Sequence, residues 1–267
     1  MPSQPNLAHL ASNVESLLEK YRDSASNAKF PVDIDKLAEL AGVRDIRSIS
    51  MIPEGVLNVA PEGFIIYLQD NFLNFPSAVF RRRFTIAHEI CHTFFYENLP
   101  GQRLRRKRIK TDELEVLCNR GAGWLLVPSH WMQTKIQKSG KITAIEHLSK
   151  LCKDAAVSME VLLRRVHEQA TAWVECDHSF VLVRRDENGR TVRGVCFGPW
   201  LAGQFPAPSL WEPEATWLRR AGDRLQTSPI GDQTFDGPIG RVLLTQSEVT
   251  SKDRIYRLRL EKDGGDQ

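Results

Sequence analysis

Two histidines and a glutamate stand close together near the middle of the first half of the chain, in the order His88-Glu89-Ile-Cys-His92. On a helix, residues four apart lie one turn above each other, so both imidazoles can reach one metal ion while Glu89 stands beside it. Zinc accepts neutral imidazole readily, and a catalytic zinc keeps three protein ligands and a water, from which Glu89 can take the proton. The spacing therefore predicts a zinc peptidase site, with His88 and His92 as ligands and Glu89 as the catalytic residue.

A core helix that holds two histidines by chance is the competing interpretation of this motif. The flanking residues argue against it, because apolar side chains occupy nearly every side of the helix. They are Ile86, Ala87, Ile90, Cys91, Phe94 and Phe95. A helix of this kind is buried, and buried imidazoles and a buried carboxylate need a partner such as a metal ion.

The next acidic helix, beginning near Thr111, offers a third ligand. Glu115, Asn119 and Ala122 fall on one face, so a carboxylate and an amide can point at the metal helix while the small residue allows close approach. We predict Glu115 as the third ligand. We expect Asn119 to contact the ligand side chains without binding the metal ion itself. Alternatively, Glu115 closes the helix start in a capping box with Asp112, and Asp112 and Glu113 are rival ligands.

Composition sets the outer bounds of function. The 267 residues are 42% hydrophobic and 26% charged, which is ordinary for a soluble globular protein of one large or two modest domains. The N-terminus has no signal-peptide pattern and no apolar run reaches the ~18 residues of a membrane span, so we expect no membrane partner and a cytoplasmic location. Five cysteines without CxxC spacing favour reduced thiols, and a net charge of +3 is too weak to indicate nucleic-acid binding.

The chain before the motif predicts two helices and a hairpin. Leucines and a valine at helical spacing over residues 7–18 indicate an amphipathic helix, and a second, short helix runs from an aspartate cap at Asp33 to Gly42. Gly55–Val59 and Phe64–Leu68 then predict an antiparallel hairpin. Beside a peptidase site, the strand Phe64–Leu68 can hold an extended substrate by main-chain pairing, or it is an ordinary sheet strand.

Two segments keep a nucleic-acid function open. The basic run Arg103–Lys110 can bind nucleic acid, attract an acidic substrate, or form a solvated loop, and we favour the solvated loop. Two helices over 142–168, with arginines on the second, are also similar to a helix-turn-helix. The alternative is a helical pair that closes a core, which we favour.

The stretch RRRFTIAHEICHTFFY, followed after a short insertion by ExxCNxxAxxLLVP, resembles the ImmA/IrrE family of zinc metallopeptidases over roughly residues 30–168. The resemblance implies that Glu115 is the third ligand, that the core is a compact α+β, thermolysin-like fold, and that the substrate is a repressor-type transcription factor. The chain departs from the family where it has Cys91 in place of a common glycine and Gly121-Ala122 in place of a phenylalanine-alanine pair. We interpret Cys91 as a small core residue rather than as a metal-site thiol.

From Thr171 onward the pattern becomes β-rich. Strands are predicted at Phe180–Val183, Thr191–Phe197, Arg241–Leu244 and Ile255–Leu260, and the alternation of arginine and leucine at 257–260 predicts an edge strand with one solvated face. Trp200, Trp211 and Trp217 lie in a long connection that lines a pocket or packs over the sheet. A sensor role is suggested only by analogy with family members that carry an appended domain.

The sequence therefore predicts an α+β fold, with a minimal metallopeptidase core of helices and a small antiparallel sheet followed by a β-rich C-terminal domain. The expected domains are an N-terminal helix (1–29), a zinc peptidase domain (30–170) and the β-rich domain (171–267). We expect an intracellular zinc endopeptidase that makes site-specific cuts in a helix-turn-helix repressor or antitoxin. The alternative is a DNA-binding regulator with a structural zinc site and the helix pair 142–168.

Overall fold

The structure, a computed structural model, describes residues 3–24, 30–70, 78–97, 104–175, 178–185, 191–197, 233–237, 240–248 and 253–260. Within these residues the fold is α+β, with eight helices and three small sheets, which confirms the predicted class. The chain divides into two compact units, Met1–Ser129 with Cys152–Ser158, and His130–Leu151 with Met159–Gln267. The domain boundaries expected after residues 29 and 170 stay predictions.

The first unit begins with two helices at the predicted places. Helix α1 (Gln4–Ser24) buries one apolar stripe, consisting of Leu10, Val14, Leu17, Leu18 and Tyr21. Helix α2 (Ile34–Leu40) is capped by Asp33, whose carboxylate accepts hydrogen bonds from the backbone N–H groups of Asp35 and Lys36. It ends before Gly42, whose φ of +87° is a conformation that glycine adopts without strain.

A three-stranded sheet follows, with β1 (Val43–Ile49), β2 (Gly55–Ala60) and β3 (Gly63–Gln69) in the order β1-β3-β2. The predicted antiparallel hairpin is confirmed as β2 and β3, and β1 pairs with β3 in parallel. Because β3 is paired on both sides, Phe64–Leu68 is an ordinary sheet strand, and the alternative in which it holds a substrate by main-chain pairing is excluded. The other strand of the hairpin, β2, is an edge strand of this sheet.

The motif lies on helix α3 (Ala78–Thr93), which packs against β2, β3 and helix α4 (Thr111–Leu126). Ile86, Ala87 and Ile90 have no exposed surface, so the predicted burial of this helix is confirmed on the side that faces the core. Between α3 and α4, the short strands β4 (Tyr96–Glu97) and β5 (Arg105–Arg106) pair antiparallel. Helix α1 packs on α4, and α2 packs on α3.

Arg83 anchors α3 within the first unit by two hydrogen bonds to backbone carbonyls. Its Nη2 donates to the Val32 carbonyl at 2.8 Å and its Nε to the Ala156 carbonyl at 3.2 Å. Burial lowers the pKa of this guanidinium, although Asp33 and Asp35 act against the shift. Arg83 therefore links α3 to two other segments of the first unit.

The remaining helices are α5 (Ser129–Ser139), α6 (Ile145–Ala155), α7 (Met159–Glu168) and α8 (Ala170–Trp173). The two helices predicted over 142–168 are confirmed as α6 and α7. In α7, Arg165 is only 6% exposed, donates to Glu168 at 2.7 Å, and places its guanidinium 5.2 Å from the ring centroid of Trp173. This arginine is a core residue of the second unit.

The strands of the second unit are β6 (His178–Arg185), β7 (Thr191–Phe197), β8 (Gln233–Gly237), β9 (Gly240–Glu248) and β10 (Asp253–Leu260). They form one antiparallel sheet in the order β7-β6-β10-β9-β8. The predicted edge strand at 257–260 belongs to β10, which is paired on both sides, so that prediction is wrong. Trp200, Trp211 and Trp217 lie outside the described residues. A separate β-rich domain over 171–267 stays a prediction.

Across the described ranges, no helix combines the length and the apolar character that crossing a membrane requires.

Close packing of α3 on α4 depends on a glycine. A Cβ on Gly121 would lie 2.6 Å from Cys91 Sγ and 2.8 Å from Leu10 Cδ1, distances at which one of the neighbours has to move. The two positions at which the chain departs from the family pattern thus meet each other in the core. Cys91 occupies volume that a side chain at 121 would need, so these two departures are coupled by packing.

Gly121→Ala is expected to lower the free energy of unfolding by about 1–3 kcal/mol through overpacking, in spite of the better helix propensity of alanine. Gly123→Ala in the same helix is the matched control, because a Cβ there meets nothing within 4 Å. We expect it to be stabilising by about 0.5–1 kcal/mol. Urea unfolding followed by circular dichroism measures both. Equal effects of the two substitutions would contradict the packing argument.

Candidate metal centre

Helix α3 presents both motif histidines on the side that is turned away from its buried apolar face. Their side chains are 14% exposed, and their Nε2 atoms lie 3.1 Å apart. Burial lowers the pKa of His88, while burial, His88 and the charge of Arg106 lower the pKa of His92 to about 3. Both imidazoles are therefore neutral at neutral pH, which is the form that binds a metal ion.

Glu115 projects from α4 toward this pair of nitrogens. Its Oε2 lies 3.1 Å from His88 Nε2 and its Oε1 lies 3.6 Å from His92 Nε2. Ala122, on the same face of α4, has no exposed surface. The predicted juxtaposition of His88, His92 and Glu115 is what the structure has, although their role as ligands stays a prediction.

The alternatives to Glu115 are occupied elsewhere. Lys110, not Asp112, precedes the first turn of α4, and no side chain caps it, so the capping box with Asp112 is absent. Glu113 Oε1 accepts hydrogen bonds from the Ser3 backbone N–H at 2.8 Å and from Asn6 Nδ2 at 2.9 Å. These bonds hold the pKa of Glu113 below its usual range and tie α4 to the N-terminus of α1. Asp112 is exposed in the first turn of α4.

Asn119 is placed to select one tautomer of His88. His88 Nδ1 lies 3.1 Å from Asn119 Oδ1, so a ring proton on Nδ1 would be bonded to this acceptor and would leave a lone pair on Nε2. Nε2 lies beside a carboxylate oxygen of Glu115 and the other imidazole. In that tautomer a cation between the facing acceptors would stabilise them, and burial lowers the pKa of His88. The donor set therefore fits a divalent metal ion, and its mixed nitrogen and oxygen atoms suit zinc.

Glu89 is hydrogen-bonded to strand β2 and differs from Glu115 in its surroundings. Glu89 is only 5% exposed, and burial together with the charge of Glu115 raises the pKa of Glu89 to about 7. The backbone N–H of Leu57 in β2 donates to its carboxylate and acts against that rise. Ligand atoms of His88, Glu89 and His92 lie within 4.8 Å of one another, so Glu89 also comes within reach of a metal ion. We favour Glu115 as the ligand, since its two oxygens face the two imidazoles while Glu89 is bonded to β2.

Close approach of β2 to Glu89 requires a residue without a side chain. A Cβ on Gly55 would lie 2.9 Å from Glu89 Oε1 and would overlap Thr85. Sequence reasoning found neither Gly55 nor the Leu57 N–H, because both contacts join segments about thirty residues apart and leave no local pattern. A glycine at the start of an edge strand is the one signal that suggests a close backbone approach.

Cys91, the other group that the sequence offered for the metal site, is a buried free thiol whose pKa burial raises well above its usual value. It packs near Gly121, which confirms it as a core residue.

Comparison with known proteins agrees with this geometry. Residues 72–167 match the family model described as the IrrE N-terminal-like domain of peptidase M78. Among curated proteins, the comparison finds no sequence match. A solved structure described as a Mycobacterium tuberculosis transcriptional regulator is similar with a TM-score of 0.50 at 11% identity, over 98% of this chain and 82% of that chain. This likeness concerns the fold alone. The matched residues 72–167 contain the HExxH motif and Glu115, so the part of the chain that carries this cluster is similar to the IrrE N-terminal-like domain of peptidases.

Proposed function

We propose that the protein is a zinc-dependent endopeptidase that makes site-specific cuts in a regulatory protein. One observation carries the proposal, namely that two carboxylates flank the same pair of neutral imidazoles in different environments. Glu115 is partly exposed and faces both nitrogens, whereas Glu89 is buried and has a raised pKa. Carboxylates separated in this way by their surroundings serve as ligand and as general base.

The metal would be held by His88, His92 and Glu115. When bound there, zinc supplies a Lewis acid that polarises the carbonyl of the peptide bond and makes water more acidic. Three protein ligands leave a position open for chemistry, whereas a structural zinc site is closed by four. Asn119 keeps His88 in the tautomer whose Nε2 faces the metal.

Glu89 would take a proton from the attacking water and then give it to the leaving amine. Without a metal ion, burial raises the pKa of this carboxyl to about 7, and the charge of a bound zinc would lower it toward the carboxylate form that accepts a proton. The Leu57 N–H orients the carboxylate, and the absence of a side chain at Gly55 allows the β2 backbone to come close enough for this bond.

An extended substrate segment would lie along β2. This strand is the edge of its sheet and its backbone contacts the general base, so a segment paired with it passes beside the metal site. Ile52 is 95% exposed and Val56 is 38% exposed, which provides apolar contacts along that edge. A substrate that has to unfold locally to pair in this way is cut at few positions, which favours selective cleavage over general proteolysis.

The proposed substrate is a helix-turn-helix repressor or an antitoxin, cut in its oligomerisation region. The support is the family resemblance at the motifs, with the intracellular setting and the role in a stress response that it implies. We further propose a thermolysin-like arrangement for the peptidase core and a regulatory or sensor role for residues 171–267.

A DNA-binding regulator is the second candidate, because the similar solved structure is described as a transcriptional regulator. Two observations favour the peptidase. Glu89 is a buried carboxylate beside the metal cluster for which a structural site has no use. In the helix pair, Arg165 is buried and Arg164 pairs with Glu160 at 2.9 Å, which leaves these two arginines poorly placed to contact phosphates.

Purified protein is expected to hold one zinc ion per chain, and His92→Ala or Glu115→Ala to lose it, because two remaining ligands bind zinc poorly. Glu113→Ala is the matched control, since that carboxylate bonds α1 instead. Elemental analysis after dialysis, with circular dichroism to check folding, provides the measurement. Full occupancy in His92→Ala would show that the ligand set is wrong, and retention in Glu115→Ala with loss in Glu89→Ala would exchange the roles of the two carboxylates.

Glu89→Gln is expected to keep its zinc and to lose cleavage by roughly 10²–10⁴-fold, because the amide preserves the shape of the side chain but takes up no proton. Glu97→Gln, on the neighbouring hairpin, is a control that removes a charge without touching the general base. Zinc content and cleavage rate are measured on the same preparations. A Glu89→Gln protein that retains full biological activity would favour the regulator.

Incubation with the product of an adjacent regulator gene is expected to give one discrete cut that a chelator abolishes, while casein is cut slowly or not at all. Mass spectrometry of the fragments locates the bond. Broad digestion of unrelated unfolded proteins would contradict site-specific cleavage and indicate a general peptidase.

A further inference from the structure

The short strand β5 places a positive charge beside the metal cluster. Arg106 pairs with Tyr96, four residues beyond His92, and the Lys107 backbone N–H donates to the Phe95 carbonyl at 2.8 Å. These bonds fix β5 against the end of α3. The charge of Arg106 acts both on His92 of α3 and on Cys118 of α4. Arg106 therefore lies close to the place where the two helices that carry the cluster face each other.

This charge has no partner within the chain as far as the structure describes it. Across the described ranges, Arg105, Arg106 and Arg108 form no ion pair. The single acidic residue in 96–110 is Glu97, which stands opposite Arg105, and the linking residues 98–103 contain no acidic side chain. Six basic residues occur in the same stretch, at positions 103, 105, 106, 107, 108 and 110. An uncompensated guanidinium at the rim of a site is available to a ligand.

We propose that Arg106 is a specificity-determining residue that selects protein segments with an acidic side chain close to the bond that is cut. This inference rests on the proposed peptidase function and names the substrate class of the same site. A carboxylate from the substrate accepts charge-assisted hydrogen bonds from the Arg106 guanidinium, which are stronger than neutral ones. The planar fork of arginine binds a carboxylate through two parallel bonds and so fixes the position of the segment as well as its charge.

Strand geometry separates this contact from a general field of positive charge. Successive side chains of a strand point to opposite faces, so Arg105 and Arg106 face opposite ways on β5. A nucleic-acid surface needs several cations along one face, since its affinity comes from many phosphate contacts. A strand of two residues with arginines on opposite faces does not provide that, and the net charge is only +3. The observations therefore favour an acidic peptide.

The test uses full-length, zinc-loaded Glu89→Gln, which binds a peptide without cutting it. Fluorescent pools of degenerate twelve-residue peptides, identical except for one fixed Glu, Gln or Lys, are titrated by anisotropy at low salt. We expect the Glu pool to bind roughly tenfold more tightly than the Gln pool, the order of one charge-assisted contact. Adding Arg106→Gln should abolish the difference, and Arg106→Glu should make the Lys pool bind best. Arg105→Glu is the matched control and should leave the order of the pools unchanged.

Equal binding of the Glu and Gln pools, or equal effects of Arg105→Glu and Arg106→Glu, would overturn the proposal. If a labelled DNA duplex bound more tightly than the Glu pool, and both arginine substitutions weakened that binding, the paired strands β4 and β5 would be a nucleic-acid site instead. Cleavage of the pools by the zinc-loaded wild-type protein is followed in parallel. Cleavage without a preference for Glu would contradict the proposed role of Arg106 but not the peptidase function. A preference for Glu that depends on Arg106, without any cleavage, would contradict the peptidase function but not the acidic-peptide site.

Discussion

The contact between His88 Nε2 and the Glu115 carboxylate is the interaction on which the rest of the first unit depends. The two atoms lie 3.1 Å apart, and Asn119 Oδ1 lies 3.1 Å from the other ring nitrogen of His88. With the ring proton on that other nitrogen, both facing atoms are acceptors, and a cation between them would stabilise the contact. The folded protein must therefore hold α3 and α4 close enough to converge these atoms, and the small residues Gly121 and Ala122 on α4 make that approach possible. Binding of a metal ion at this cluster would therefore be coupled to the packing of these two helices.

Burial distinguishes the two carboxylates, for which we propose the roles of metal ligand and general base. Glu115 is 45% exposed at the mouth of the cluster, while Glu89 is enclosed between α3 and β2. Burial is the largest cause of the raised pKa of Glu89, and the hydrogen bond from the Leu57 N–H acts against it. The backbone of the edge strand therefore contributes to the environment of the carboxylate that we propose as the general base. An extended substrate paired with the same edge would align its backbone with that base.

Local patterns predicted the elements of this fold well, and contacts between distant segments were predicted poorly. The spacing of His88, Glu89 and His92, the stripe on α1 and the aspartate cap of α2 all depend on residues within one or two turns, so a sequence can display them. The order of strands depends on pairings across the sheet. For this reason the hairpin of β2 and β3 was predicted, but the central position of β3 was not. In the same way, β10 was predicted to be an edge strand although it has a neighbouring strand on each side. Arg83 binds two carbonyls from distant segments, and the exposed Arg106 acts on His92; nothing local in the sequence reveals either interaction.

The two departures from the pattern of the similar family, Cys91 and Gly121, lie at one interface, that of α3 and α4. Cys91 and Gly121 alter the interface of α3 and α4 on its apolar side, where the sum of the volumes matters more than the identity of each residue. His88, His92 and Glu115 lie on the other side of the same interface, where positions of individual atoms decide whether a cation is bound. A larger residue at 91 is accommodated by a smaller one at 121 without moving the helices apart. The geometry of the cluster can thus persist while the core beneath it is repacked, provided that volume changes on the two helices compensate each other.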